Sequence, residues 1–470
     1  MRVVFAILTI LLFFENTSFS ANRVLGSRTE MYTIENGLSQ SYVNHLFIDS
    51  RGFLWISTYD GLNRFDGLNF VVYKHNPVDT NSLSDNYVRH VCEDRDGNIW
   101  VATNNGLSCY LFSKGVFVNY YNDPQYASSI SSNSIFNVFC DKNDVIWAKT
   151  LTSLEKFDKK QQKFYHYYHH NDIFNQIIDD RNFDIFEDSR EKLWIATKDG
   201  LSCFDKRLEL FEHFTSTPSD IKTISDNRIR SICEDCFGNI WVGTANGLNK
   251  FDIKQRRFYR IYAGSDNVSL ISNKISSLYA ADKKKIFVGT ETGLSILNIN
   301  SMTFANYPFF NIQNSEVPLS NIKSLLLDKA NNLWIGCREG LIKVDLKPLK
   351  FGLFRSSGGA FSENISSIYA QSKNDIWLGT WNNGLLRVNL GAEEHSSSVK
   401  PAKRYFSNTS IYSLYKDKNN KLWISTENGL TIFNIKTNTF EPFKPKNKMP
   451  YGFSNEKIYC FYGDGDKIWM

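Results

Sequence analysis

The apolar positions of this chain fall into short runs, not long stripes. An inner stretch such as VNHLFID (43–49) or IRSICED (229–235) is followed by a polar turn and a second run reading LWIST, IWVAT, LWIAT or IWVGT. A turn of the form T-x-x-G-L comes next, then a third run (GLNRFD, GLNKFD, GLIKVD) and an aromatic fourth such as NFVVYKH (69–75) or RFYRIYA (257–263). Short apolar runs bounded by turn residues are strands, and a two-sided apolar run is an inner strand buried between neighbours. The pattern predicts four strands per unit.

The unit then recurs. Its second strand is anchored on Trp55, Trp100, Trp147, Trp194, Trp241, Phe287, Trp334, Trp377, Trp423 and Trp469, at spacings of 45, 47, 47, 47, 46, 47, 43, 46 and 46. Trp381 alone among the ten tryptophans stands off the anchor. A period of this length with Trp and Gly at fixed offsets is what propeller blades produce. Asp stands six residues before the anchor in seven copies (Asp49, Asp94, Asp141, Asp188, Asp235, Asp328, Asp417), and Gly52, Gly97, Asp144, Glu191, Gly238, Asn331 or Asn420 stands three residues later. An Asx side chain bonding its own following backbone, then a residue tolerant of positive φ, closes a tight hairpin. Glu191 departs from that rule, so strain is expected there.

At 470 residues a count of about three domains would be usual, and the repeat replaces it. Charged residues make up 22% and the net charge is +5, so neither disorder nor a nucleic-acid surface is implied. Aromatics at 15% favour buried strands. Arg2, the apolar run Val3 to Phe14 and the small residues Ser18, Ser20 and Ala21 have the shape of a signal peptide over 1–21; an uncleaved anchor is the alternative. Eight Cys in an exported chain invite disulfides, but Cys92 and Cys233 share one register eight residues before a Trp and read as core. Cys233 and Cys236 form a lone C-x-x-C with no partner pair, so no metal is expected. His166, His169 and His170 fall on a fourth strand and read as a solvated face.

The combination DSRGFLWISTYDGLNRFDG (49–67), with EDRDGNIWVATNNGL (93–107) and EDCFGNIWVGTANGLNKFD (234–252), resembles the two-component regulator propeller repeat. The resemblance covers about 29–470 and implies the periplasmic sensor half of a hybrid histidine kinase in glycan-degrading bacteria. It further implies two consecutive seven-bladed propellers, a small β-sandwich, one membrane span, then kinase and response-regulator domains. The expected fold is all-β: a seven-bladed propeller over 28–347 and the first three blades of a second, incomplete one over 348–470. Ring closure predicts that Glu30 to Ile34 completes the blade of Trp334 and that FGLFRS (351–356) does the same for the second ring. A chain stopping one residue after Trp469 reads as a fragment or a truncated product, with a ten-bladed ring as the remaining option.

No kinase chemistry, catalytic group or cofactor site is expected within these residues. Ligand binding is the better reading, because loops joining second to third strands and fourth to first strands gather on one propeller face. The first variable position of T-x-x-G-L supplies the candidates Tyr59, Asn104, Lys198, Arg338 and Trp381. Flat rings suit sugar C–H faces, and amides or charges suit hydroxyls and acids. The expected partner is an oligosaccharide, with homodimerisation and a membrane tether supplied by segments beyond residue 470. A secreted glycosidase or lyase is the alternative; it would need a convergent acid/base pair near the axis.

Overall fold

The structure is a computed structural model that describes residues 28–168, 184–266, 268–281, 284–312, 315–347, 364–372, 375–389, 403–443, 457–464 and 467–470. The proposed signal segment, His169, His170 and the stretch 351–356 lie outside them. Among the described residues the chain is all-β, with a single turn of 3-10 helix at Ile34–Asn36. It divides into two compact units between Pro348 and Leu349.

The first unit contains seven four-stranded antiparallel sheets, here blades 1 to 7. Their first strands are Val43–Ile48, Val88–Glu93, Asn137–Cys140, Ile185–Glu187, Ile229–Glu234, Ile275–Ala280 and Ser324–Leu327. Each first strand lies beside the first strand of the following blade, and that of blade 7 lies beside that of blade 1. The series therefore returns on itself around an axis. Closure uses the N-terminal strand: Arg28–Tyr32 pairs with Leu341–Asp345 as the outermost strand of blade 7. Tyr32 packs its ring against Trp334 of blade 7 and Phe65 of blade 1, with centroids 6.2 and 5.2 Å away. A sheet edge that would otherwise template aggregation is thus covered.

The anchor tryptophans join the blades. Trp55 packs on Tyr110, Trp100 on Phe157, Trp147 on Phe204, Trp194 on Phe251 and Trp334 on Phe65, in each case a ring on the third strand of the next blade. Such aromatic pairs contribute about 0.5–1.5 kcal/mol beyond the area they bury. The indole N–H also needs a partner, because it is buried. It donates to the turn aspartate six residues earlier, as in Trp55 to Asp49 at 2.9 Å and Trp241 to Asp235 at 2.8 Å. The other carboxylate oxygen of Asp49 accepts from the backbone N–H of Arg51 and Phe53. One carboxylate thus closes the turn and fixes the indole. Blade 6 has Phe287 at the anchor and Ala281 at the turn, losing donor and acceptor together. Glu191 takes φ 64°, in the positive-φ region where Gly52, Gly97 and Gly238 sit at the equivalent turns.

A hairpin of Phe309–Ile312 and Ser315–Pro318 lies between blades 6 and 7, where the sequence pattern predicts only a loop. The second unit holds two further four-stranded sheets, beginning at Ile365–Ser372 and Ile411–Lys416, and a pair formed by Tyr462–Asp464 and Lys467–Trp469.

Candidate functional site

Three registers on and just before the first strands build the axial region. Ten residues before each anchor stand His45, His90, Asn137, Asp184, Ser231, Ser277 and Ser324, one from each blade. All of them line a cavity of about 340 Å3 on the axis. Several also stitch adjacent blades. Ser324 Oγ accepts from Leu46 N–H at 3.1 Å, Ser231 Oγ from Leu278 N–H at 3.0 Å, and Asp184 Oδ2 from Ile232 N–H at 3.1 Å. A short polar side chain at this register satisfies a backbone donor that no strand partner reaches.

On the opposite arc the rings of His45 and His90 stack with centroids 3.5 Å apart. His90 Nδ1 donates to the Val138 carbonyl of blade 3 at 3.0 Å, whereas His45 Nδ1 has no hydrogen-bond partner. Burial lowers the His90 pKa to about 4; burial, with His90 alongside, pushes His45 well below the usual range. Both rings are neutral at pH 7. Asp184 moves the other way: burial lifts its carboxyl to about 6, against the hydrogen bonds from Ile232 N–H and Ser231 Oγ. Asn137, 1% exposed, keeps a side-chain oxygen with no hydrogen-bond partner.

Eleven residues before the anchor, Arg230, Ser276 and Lys323 of blades 5 to 7 also line the cavity. At the same register in blade 2, Arg89 is turned into the blade 2–3 interface, donating to Ser134 Oγ and to Asn104 Oδ1. Thirteen before the anchor the chain meets the T-x-x-G turn of its own blade: Asn104 N–H donates to the Tyr87 carbonyl at 3.1 Å, and Glu291 N–H to that of Lys274 at 3.2 Å.

The structure places the five candidates unequally. Tyr59 stacks on Tyr42 at 4.4 Å and sets its edge against Tyr87 at 4.5 Å; Lys323 Nζ lies 5.7 Å from the Tyr42 ring, linking this cluster to the cavity. Asn104 is exposed and tied to Arg89. Arg338 is exposed on the blade 7 turn, beside Cys337, whose carbonyl accepts from Val43 N–H of blade 1. Lys198 stands apart, on a separate hollow of about 60 Å3 between blades 3 and 4 that Leu151, Tyr167 and His213 also line. Trp381 belongs to the second unit, where it is 47% exposed and meets Tyr412 edge-on at 5.4 Å.

His166 corrects the solvated-face expectation. Its Nδ1 bonds the buried carboxylate of Glu155 and its Nε2 the Ala127 carbonyl at 2.9 Å, so the ring ties a loop to the sheet. Asn119 and Asn306 do the same from equivalent positions, reaching Ser108 and Ser295. The sequence reading missed Tyr42, Tyr87, Arg230 and Lys323. Their signal was available, since each sits at a fixed offset from a tryptophan.

Comparison with known proteins agrees with this architecture. The family described as two component regulator propeller matches at residues 37–60, 82–105, 223–246 and 405–428. These four stretches are therefore similar to two-component regulator propeller repeats. A protein named histidine kinase P4, from Formosa agariphila, is 27% identical over 184 residues, covering 37% of this chain and 13% of the relative. A crystal structure of the extracellular domain of a hybrid two-component system from B. thetaiotaomicron covers 94% of this chain at 25% identity and a TM-score of 0.65. The chain spans 57% of that domain. It is similar to extracellular sensor domains of such systems.

Proposed function

We propose that this chain, with stretches similar to two-component regulator propeller repeats, is the periplasmic ligand-sensing part of a hybrid histidine kinase anchored in the inner membrane. It binds an oligosaccharide and passes the signal to transcription through a span and kinase beyond residue 470, with the receptor acting as a homodimer. The cluster of Tyr59, Tyr42 and Tyr87, whose Tyr42 ring lies 5.7 Å from Lys323 Nζ of the axial cavity, is the observation that carries the binding half of this reading. These rings are half-buried, and partly open tyrosine rings beside polar groups are what a sugar needs: C–H faces pack on the ring, and hydroxyls find donors and acceptors nearby. The likeness to extracellular domains of two-component systems supports the signalling half.

Two measurements test the reading. Sequencing the gene beyond codon 470 is expected to reveal a membrane span followed by a kinase; a stop that completes a secreted propeller would contradict the sensor assignment. Thermal-shift screening of the whole chain against plant, host and microbial oligosaccharides is expected to give at least one stabilising ligand, since selective binding to the native state raises the melting temperature. Silence across the panel would contradict the ligand class.

A further inference from the structure

The wall of the axial cavity is layered. Ten residues before the anchors the strands give it a belt of short polar side chains, among them Asn137, Ser231, Ser277 and Ser324. Two residues further along the strands, Phe47, Phe139, Phe186 and Tyr279 line the same cavity and are half-buried. Side chains two apart on a strand share a face, about 7 Å from one another along it, so a hydrogen-bonding belt adjoins an aromatic floor. The charged groups on the wall already have partners. Glu93 accepts from Ser50 N–H and Ser50 Oγ, both at 2.7 Å, and Asp184 from Ser231 Oγ and Ile232 N–H. Arg230 Nη1 donates to the Ile275 carbonyl at 3.4 Å, and Lys323 Nζ faces the Tyr42 ring. The capacity left over is neutral: Asn137 Oδ1 and His45 Nδ1 are buried with no hydrogen-bond partner among the described residues.

We infer that the axial cavity is a binding site in its own right, separate from the tyrosine cluster, for one neutral, hydroxyl-rich ring such as a monosaccharide unit. This goes beyond the reading above, which needs only the tyrosines. A buried polar atom without a partner is costly, and a ligand inside the cavity relieves that cost. A hydroxyl both donates and accepts, so it serves the Asn137 oxygen and either tautomer of His45. The C–H face of the same ring packs on the aromatic floor. A charged ligand would find its counter-charges engaged. At about 340 Å3 the cavity is at the lower end of small-molecule sites, about 300–1,000 Å3, which suits one ring and not a chain.

The test is calorimetric titration of the whole chain with glucose, galactose, xylose and arabinose, beside oligosaccharides of the same sugars. One monosaccharide is expected to bind once per chain, with the same affinity at about 50 and about 300 mM salt, because no charge pair is formed. Asn137→Leu weakens it at least about 10-fold without lowering the melting temperature of the free chain, since the unpartnered oxygen goes with the amide. Should Asn137→Leu prevent folding, Ser277→Ala decides: it removes a hydroxyl whose bond to the Ile322 carbonyl is long, 3.4 Å, and weakens binding at least about 3-fold. Displacement of the monosaccharide by an oligosaccharide supports the inference and identifies a chain end as the ligand. Simultaneous binding of both supports it and identifies a free monosaccharide. Oligosaccharide binding with no monosaccharide binding overturns the inference and leaves the tyrosine reading intact, as does monosaccharide binding that both variants retain. Monosaccharide binding with no oligosaccharide response overturns the tyrosine reading alone, and a cavity holding only water, with no saturable heat from any sugar, overturns both.

Discussion

Positions that repeat around the seven sheets and positions that do not have separate jobs. The repeated ones face the blade interfaces: anchor indole, turn aspartate, the threonine whose Oγ1 donates to the carbonyl three residues on, as Thr58 does to Gly61 at 2.8 Å. The unrepeated ones face the axis, where His45, Asn137 and Asp184 occupy one register with three different chemistries. A blade interface imposes the same packing problem seven times and receives one solution. The axis is shared by all blades, so each can place a different group there. This contrast predicts that changes to the repeated residues alter stability and leave binding alone, while changes at Tyr59 and its ring partners alter binding; axial residues that also stitch blades, such as Asp184, alter stability as well.

Deleting residues 28–32 is the most severe way to break the repeated frame. It leaves Leu341–Asp345 without its partner and removes Tyr32 from between Trp334 and Phe65. Losing the half-buried Tyr32 together with the five-residue edge pairing removes both packing and strand hydrogen bonds, so the first unit should lose its single cooperative melting transition in calorimetry. Trp241→Ala is expected to cost about 3–5 kcal/mol by urea denaturation. Trp241→Phe is milder, about 1–3 kcal/mol, because Asp235 keeps its turn bonds and loses only the indole. Adding Asp235→Ala to it should cost less than the two single changes summed, as the joint absence in blade 6 implies.

The axial register allows a pH test of about 1–3 kcal/mol. A carboxyl at about 6 when folded, above its unfolded value near 4, favours folding in its protonated form. Asp184 therefore makes stability fall as pH rises through about 4 to 6, with no further change above. His45 and His90, depressed when folded, make stability fall as pH drops from about 6.5 toward 4. The two slopes oppose one another. Asp184→Asn should raise the melting temperature at pH 7 and expose the histidine slope; an unchanged pH profile would contradict the burial of that carboxyl. The smallest effect is at the turns: Glu191→Gly should gain about 0.5–1 kcal/mol by relieving a left-handed backbone, read from the urea midpoint.

The frame was legible in the sequence because the same constraint recurs at every blade. Trp, Asp and Gly at fixed offsets disclosed strands, turns and period without any coordinates. The Asp–Trp hydrogen bond was equally available, since Phe287 and Ala281 change together, but a turn aspartate explains itself locally and hides its second task. His166 was misjudged because its partner, Glu155, sits on a neighbouring strand, eleven residues earlier. The hairpin at 309–318 escaped because a loop slot of ordinary length carries it. Candidates chosen from one turn position reached Tyr59 but scattered Lys198 and Trp381 to other places. Only the closed circle shows that the residues ten before the anchors of blades 1 to 7 converge on the axis, joined by Arg230, Ser276 and Lys323 from the next register.

The division of labour is tested most directly by measuring saccharide affinity and melting temperature together for Tyr59→Ala and Trp241→Phe in the whole chain. The account predicts that Tyr59→Ala loses at least about 10-fold in affinity with little change in melting temperature, and that Trp241→Phe melts earlier with affinity intact. The opposite assignment, binding lost at the indole and stability lost at the tyrosine, would contradict it.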